Sequence, residues 1–293
     1  MSRSVKAYSY CKGCLLMSYK NLGVHVDYRP RCRTSVKLAV ELAEHFNAHL
    51  TGIFVDPVPM SPELVAMSAT PVLLEQITEE QELRATEARK AFDEITTASS
   101  IQTGWRRATG PMYSALNVHG RYCDLMILNQ EGEGDDALAL GGFADSAVLE
   151  MGRPVLVVPF IGAPAPLGGK ALVAWNGSQE AARAVNDAMP LLESAREVQV
   201  VCIEPDTTEE DEVSLPGADL CFHLATHGVR AEAHVISGSG MDSGNVLLSH
   251  AADYGANLIV AGAYGHSRFR ELVLGGMTLH LLRHMTVPVL MSH

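Results

Sequence analysis

Short, continuous runs of apolar residues alternate along this chain with longer segments whose apolar positions recur every three to four residues. In the second half, the apolar run at 171–175 ends at the turn formers Asn176 and Gly177, and a helical pattern begins at Ser178. Further strands are predicted at 197–203, 232–236, 258–261 and 288–291, and further helices at 220–227, 244–254 and 277–285. Strands that are apolar on both sides are typical of a parallel sheet covered by helices on both faces. The pattern therefore predicts a doubly wound, five-stranded α/β unit of Rossmann-like type.

The same order of elements recurs in the first half, with a strand at 22–27 and a longer second helix at 75–99. The two halves match without a gap near their ends, because twelve positions separate Gly142 from Pro154 and twelve separate Gly276 from Pro288. We therefore predict two tandem domains of one fold, related by a pseudo-two-fold axis, with the final strands of the two domains facing each other.

The predicted boundaries follow from this match. The first repeat spans 18–160 and the second repeat spans 169–293, and the Gly-, Pro- and Ala-rich segment 161–168 is a linker. Residues 1–17 are expected to be a disordered extension, or the product of a start upstream of a native one at Met17.

The excess of acidic over basic residues argues against some classes of binding partner. Twenty-two Lys and Arg residues against 34 Asp and Glu residues give a net charge of −12. Because an acidic surface repels phosphate backbones and anionic lipids, neither a nucleic acid nor a membrane is an expected partner. The longest apolar runs are a third or less of the ~20 residues that a bilayer requires. Six cysteines are too few for a disulfide scaffold in 293 residues, so we expect reduced thiols and a cytoplasmic protein.

The loop after the fourth strand of the second repeat is suited to a phosphate group. Gly262 and Gly265 let the backbone turn tightly and bring its N–H groups against a ligand. A second glycine pair, Gly275 and Gly276, opens a helix whose N-terminal amides attract an anion. The same segment carries two arginines and two hydroxyl residues: Arg268, Arg270, Ser267 and Thr278.

These residues resemble the nucleotide signature of the universal stress protein family, Gly-x2-Gly-x9-Gly followed by Ser or Thr. Gly262, Gly265 and Gly275 hold the spacing, but Gly276 stands where the family has a hydroxyl residue. That change removes one hydrogen bond to phosphate, worth ~1–3 kcal/mol. In a second departure, Asn176 stands where nucleotide-binding members have Asp. The resemblance implies a cytoplasmic stress-response protein that binds ATP or AMP or no ligand, and that pairs through its last strand.

We therefore expect an adenine nucleotide, ATP or AMP with or without Mg²⁺, in the second repeat alone. The candidate binding residues lie at strand ends and in the loop described above: Ala174, Trp175, Asn176, Ser178, Ile203, Gly262, Gly265, His266, Ser267, Arg268, Gly275, Gly276, Met277 and Thr278. No catalytic residue and no metal ligand is assigned.

The first repeat has the opposite character at the corresponding loop. It keeps an acid after its first strand, Asp27, but Asn129 replaces the first glycine and the loop is one residue shorter. The loop also carries four carboxylates: Glu131, Glu133, Asp135 and Asp136. Because carboxylates oppose a triphosphate strongly in a partly desolvated site, the first repeat is predicted to bind no nucleotide.

Two other functions stay open from the sequence. A slow ATP hydrolase needs a water-activating base, and His266 is the candidate in the second-repeat loop. A nucleotide-free scaffold would use the repeat as a platform for an unidentified protein partner. In each case whole chains are expected to form a homodimer, because sheet edges and apolar helix faces need cover.

Two further patterns carry less weight. The segment 237–243 resembles the phosphate loop of ATP pyrophosphatases but has an extra residue, so we interpret it as a turn in which Asp242 or Ser243 caps the next helix. His280 and His284 are four residues apart on the last helix, a spacing that suits a metal, but the sequence offers no third ligand nearby.

Overall fold

The structure is a computed structural model that describes residues 18–56, 70–130, 143–163, 167–204, 217–238, 242–263 and 276–293. The first repeat contains β1 (Asn21–His25), α1 (Cys32–Phe46), β2 (His49–Asp56), α2 (Pro71–Thr96), β3 (Thr103–Thr109), α3 (Met112–Gly120), β4 (Leu125–Asn129), α4 (Phe143–Glu150) and β5 (Val155–Val158). The second contains β6 (Lys170–Ala174), α5 (Gln179–Ser194), β7 (Glu197–Glu204), α6 (Ala218–Thr226), β8 (Ala231–Ser237), α7 (Ser243–Tyr254), β9 (Leu258–Gly262), α8 (Gly276–His284) and β10 (Val289–Ser292).

All ten described strands form one sheet, in the order β3-β2-β1-β4-β5-β10-β9-β6-β7-β8. Within each repeat the neighbouring strands are parallel, whereas β5 and β10 pair antiparallel, with Leu156 opposite Leu290. The order therefore reads the same from either edge, and the predicted doubly wound fold with its pseudo-two-fold axis is confirmed.

Helices cover both faces of this sheet, and each face has one apolar core that continues across the two repeats. One core contains residues of α1, α2, α5 and α6, and the other contains residues of α3, α4, α7 and α8. Strand residues alternate between the two cores, so Leu156 faces the first and Val157 the second. In the part of the chain that the structure describes, no helix is long and apolar enough to span a bilayer.

Local sequence signals set the helix boundaries. Helix α5 begins where the sequence predicts, because the Ser178 hydroxyl accepts a hydrogen bond from the Ala181 N–H at 3.1 Å. Asp242 caps α7, as predicted, by accepting from the Gly244 N–H. Helix α2 begins at Pro71 rather than at 75, because Thr70 caps it and proline is favoured at a first helical position.

The repeats also contact each other away from the central strands. The Tyr19 hydroxyl donates to the Asp187 carbonyl oxygen at 2.7 Å, and His45 Nε2 lies 3.0 Å from the Ser194 hydroxyl. Burial raises the pKa of Tyr19 far above its usual value, so the phenol stays a donor. Helix α1 of the first repeat therefore packs beside α5 of the second, while the pairing of whole chains stays a prediction.

Candidate functional site

The crevice in which a ligand is expected lies where the strand order of the second repeat reverses. Strand β6 continues into α5 on one face of the sheet, and its neighbour β9 precedes α8 on the other face. The last residue of β6, Ala174, pairs with Ala261 of β9. In doubly wound sheets, ligands bind at this point, beyond the carboxyl ends of the strands. The N-termini of α5 and α8 therefore lie at this same edge of the sheet, one on each face.

Gly262 ends β9 at this edge, and the first turn of α5 packs directly on it. A Cβ atom at Gly262 would lie 2.4 Å from the Ala181 amide nitrogen and 2.6 Å from the Glu180 carbonyl carbon. The sequence motif predicts a close approach of ligand and backbone here, and the structure shows in addition a close approach of α5. A glycine at this position therefore sets how near the first turn of α5 comes to the strand.

The turn between β6 and α5 is held by its own polar groups. The Asn176 side-chain oxygen accepts a hydrogen bond from the Ser178 N–H at 3.1 Å, and Gly177 adopts a positive φ of 72° that favours glycine. The Ser178 hydroxyl is engaged as the cap of α5. Of the polar groups predicted at this turn, the Asn176 amide nitrogen is therefore the one best placed to donate to a ligand.

Among the described residues, none packs on the Cβ position of the first residue of α8. No described atom lies within 4 Å of the position of a Cβ on Gly276, and this residue is exposed. Met277 is half-buried against the apolar core, and Thr278 is 4% exposed. Backbone amides of the first turn, rather than the Thr278 hydroxyl, are thus the groups of α8 that a ligand can reach.

A contact that the sequence does not predict holds α8 to the neighbouring helix. His280 Nδ1 lies 3.0 Å from Asp242 Oδ2, and a Cβ on Gly244 would come within 2.7 Å of the His280 ring. The histidine is thus packed against the start of α7. Among the described residues, no group of three or more His, Cys, Asp or Glu side chains is arranged to hold a metal ion.

The remaining predicted residues fall into two sets. Trp175 and Ile203 are half-buried at the ends of β6 and β7, and the Trp175 N–H donates to the Val201 carbonyl oxygen at 2.8 Å. The structure therefore brings these side chains to the same edge as Ala174 and Asn176. Five predicted residues lie outside the described part of the chain: Gly265, His266, Ser267, Arg268 and Gly275.

The corresponding edge of the first repeat is filled by larger side chains. The strand registers place His25 where the second repeat has Ala174, and Asn129 where it has Gly262. His25 is 7% exposed. The connection from β1 to α1, at 26–31, is two residues longer than the connection at 175–178, so α1 begins further from its strand. The two repeats thus differ in shape as well as in charge at this edge.

The buried imidazole of His25 makes stability depend on pH. Burial, the largest effect, lowers the pKa of His25; Asp27 opposes this change, and Arg29 and Arg31 add to it. Because the folded state then binds fewer protons than the unfolded chain, whose histidine titrates near ~6.5, the free energy of unfolding falls as the pH drops through and below that value.

We expect a shift from pH 7 to pH 5.5 to cost the wild-type protein about 1 kcal/mol more than it costs a His25→Leu variant. Urea denaturation of both proteins at the two pH values measures this difference. Equal losses of stability in the two proteins would show that the imidazole is protonated as easily in the folded state as in the unfolded chain.

An ion-pair cluster at the first-repeat edge also escapes sequence analysis. Arg107 on β3 donates to both carboxylate oxygens of Asp56, from Nε at 2.8 Å and from Nη2 at 3.0 Å, and to Glu82 on α2 at 2.8 Å. The hydrogen bond to Glu82, and then that to Asp56, raises the pKa of Arg107. The Asp56 side chain is 6% exposed. This cluster joins β2, β3 and α2.

The structure thus defines a doubly wound α/β protein made of two repeats of one fold. The chain belongs to the universal stress protein family, because the family profile matches residues 18–159 and again residues 169–293.

Individual relatives are distant. Universal stress protein Slr1230 of Synechocystis sp. (strain ATCC 27184 / PCC 6803 / Kazusa) is 33% identical over 67 residues, which are 23% of this chain and 22% of the relative. The chain thus aligns with about a fifth of that curated protein. A universal stress protein from Archaeoglobus fulgidus DSM 4304 is 14% identical, covers 93% of this chain and 97% of its own, and has a TM-score of 0.70, which supports the fold. A universal stress protein solved in complex with cAMP is 22% identical over 48% of this chain and 98% of its own, with a TM-score of 0.37.

Proposed function

We propose that the second repeat binds an adenine nucleotide, ATP or AMP, at the carboxyl edge of β6 and β9. The chain then acts as a nucleotide-dependent sensor or protective factor in a stress response. The observation that carries this proposal is the position of two helix N-termini, those of α5 and α8, at the carboxyl edge of the sheet where β9 ends in Gly262. Each N-terminus carries a partial positive charge of roughly half a unit, so together they favour an anion.

The two helices are suited to different parts of the ligand. The first turn of α8 contains no acidic side chain, whereas the first turn of α5 contains Glu180. The sequence before α8 also supplies Arg268 and Arg270. The phosphates therefore belong at α8, and the base and ribose belong toward β6, where Trp175 offers apolar surface and Asn176 a donor.

We propose that the chain binds the nucleotide without hydrolysing it. A hydrolase needs a base that can activate water. Asp242 and His280, two described titratable groups on α7 and α8, are engaged in a mutual contact at 3.0 Å. Nucleotide occupancy can then report the ATP or AMP level without consuming it.

A retention experiment tests the proposal. The purified chain is denatured, and its supernatant is chromatographed for adenine nucleotides, in parallel with a variant that combines Gly265→Ala and Arg268→Glu. We expect close to one nucleotide per wild-type chain and at least a tenfold lower yield from the variant, because a carboxylate replaces a guanidinium in the segment proposed to bind phosphate. Equal yields would overturn the placement of the site, and nucleotide-free wild-type protein that also fails to bind added ATP would favour the scaffold. Sustained phosphate release over many turnovers would identify a hydrolase instead.

A further inference from the structure

Gln130 joins the first repeat to the far end of the helix that we assign to phosphate. This residue follows β4 directly and is 3% exposed. Its side-chain nitrogen donates to the carbonyl oxygens of Leu282 and Arg283 in the last turn of α8, each at 3.0 Å. Its side-chain oxygen accepts a hydrogen bond from the Phe160 N–H, also at 3.0 Å. One buried amide therefore ties the end of α8 to the segment that leads out of the first repeat.

The second repeat makes no matching connection to the first, because its residue at the position of Gln130 has no side-chain amide. The Gln130 N–H donates to the Val158 carbonyl oxygen at 2.8 Å, and the Ala263 N–H donates to the Ser292 carbonyl oxygen at 2.9 Å. The matching backbone bonds identify Ala263 as the counterpart of Gln130. Since alanine has no amide to offer, the last turn of α4 receives no such side-chain contact from position 263.

Helix α8 connects the proposed phosphate site at its first turn with the Gln130 contacts at its last turn. It has nine residues, which correspond to about 13 Å of helix, with Gly276 at one end and the carbonyls bound by Gln130 at the other. Its backbone hydrogen bonds make it move as a unit, and His280 connects its middle to Asp242 at the start of α7. A displacement of its first turn therefore also displaces its last turn.

We propose that α8 and Gln130 transmit occupancy of the second-repeat nucleotide site to the first repeat, an inference that rests on the function proposed above. The element has two arrangements: in one, Gln130 holds the Leu282 and Arg283 carbonyls and the Phe160 amide, and in the other these three groups are hydrated. Phosphate at the first turn of α8 fixes the helix and selects the first arrangement. The contacts that change lie beside Phe160 and Ile161, which are 47% and 76% exposed.

Hydrogen exchange of the Phe160 amide in the full-length chain, with and without saturating ATP, tests this coupling. Titration calorimetry on the same samples records whether ATP binds. Gln130→Leu is the informative variant. Gln199→Leu is its matched control, because Gln199 is a second buried glutamine, 7% exposed, whose amide oxygen lies 2.5 Å from His250 Nε2 in the second repeat.

In wild type and in Gln199→Leu, we expect ATP to slow exchange of the Phe160 amide at least about fivefold, the lower end of typical coupling between sites. In Gln130→Leu, ATP still binds but changes this exchange rate less than about twofold. Binding of ATP with no change at Phe160 in wild type, or the same protection in Gln130→Leu, would overturn the coupling and leave the proposed function standing. If ATP did not bind to the wild-type chain, both the coupling and the proposed function would be overturned.

Discussion

Replacing Gly262 with alanine is expected to destabilise the protein by about 3 kcal/mol, the upper end of the usual range for an overpacked site. A Cβ at this position would lie 2.4–2.8 Å from three backbone atoms of Glu180 and Ala181. None of these is the end of a flexible side chain, so the added methyl group has to displace the first turn of α5 as a whole. Urea denaturation, followed by far-UV circular dichroism, measures the change in the free energy of unfolding.

Gly276→Ala is the matched control for this prediction. No described atom lies within 4 Å of a Cβ at Gly276, and alanine is the better helix former, so we expect a change in stability of no more than about 0.5 kcal/mol. If Gly262→Ala were tolerated as well as Gly276→Ala, the close packing of α5 on Gly262 would be wrong.

The second large loss of stability is expected when the positive charge is removed from the cluster of Arg107, Asp56 and Glu82. Arg107→Met leaves the Asp56 carboxylate, whose side chain is 6% exposed, without the two hydrogen bonds that it accepts. Breaking a buried ion pair costs ~3–5 kcal/mol, and because the Arg107 side chain is 35% exposed we expect about 2–4 kcal/mol here. Chemical denaturation at neutral pH measures this loss.

Two further variants separate the buried charge from the rest of the cluster. Glu82→Gln should change stability little, since the Glu82 side chain is 61% exposed. The double variant Arg107→Met/Asp56→Leu should recover much of the loss, because it removes the uncompensated carboxylate. A double variant as unstable as Arg107→Met alone would mean that packing of the guanidinium, and not its charge, is what the protein needs.

The fold is largely predictable from the sequence, because its signals are local. Continuous apolar runs predict the parallel strands, and the hydroxyl of Ser178 predicts the start of α5. The repeat predicts the pairing of the two last strands, since two copies of one unit tend to meet through the same surface. Helix α2 was misplaced by a few residues because Thr70 and Pro71 extend it beyond its apolar pattern.

The contacts around the site and between the repeats are less predictable, because they join residues that are far apart in the chain. Gln130 reaches Leu282 over a separation of 152 residues, and Arg107 reaches Asp56 over 51. No spacing rule reveals such pairs. The packing of α5 on Gly262 is also not evident from the sequence, because a glycine motif shows where backbone comes close without showing which neighbour makes the approach.

The central claim is that one of the two repeats binds nucleotide, and its most direct test is the stoichiometry of ATP binding measured by titration calorimetry. Gly276→Asp places a carboxylate at the open first turn of α8, and Gly142→Asp makes the same change at the matching position of the first repeat. We expect one site per wild-type chain, loss of that site in Gly276→Asp, and an unchanged site in Gly142→Asp. Two sites per chain, or a single site lost in Gly142→Asp and kept in Gly276→Asp, would contradict the account.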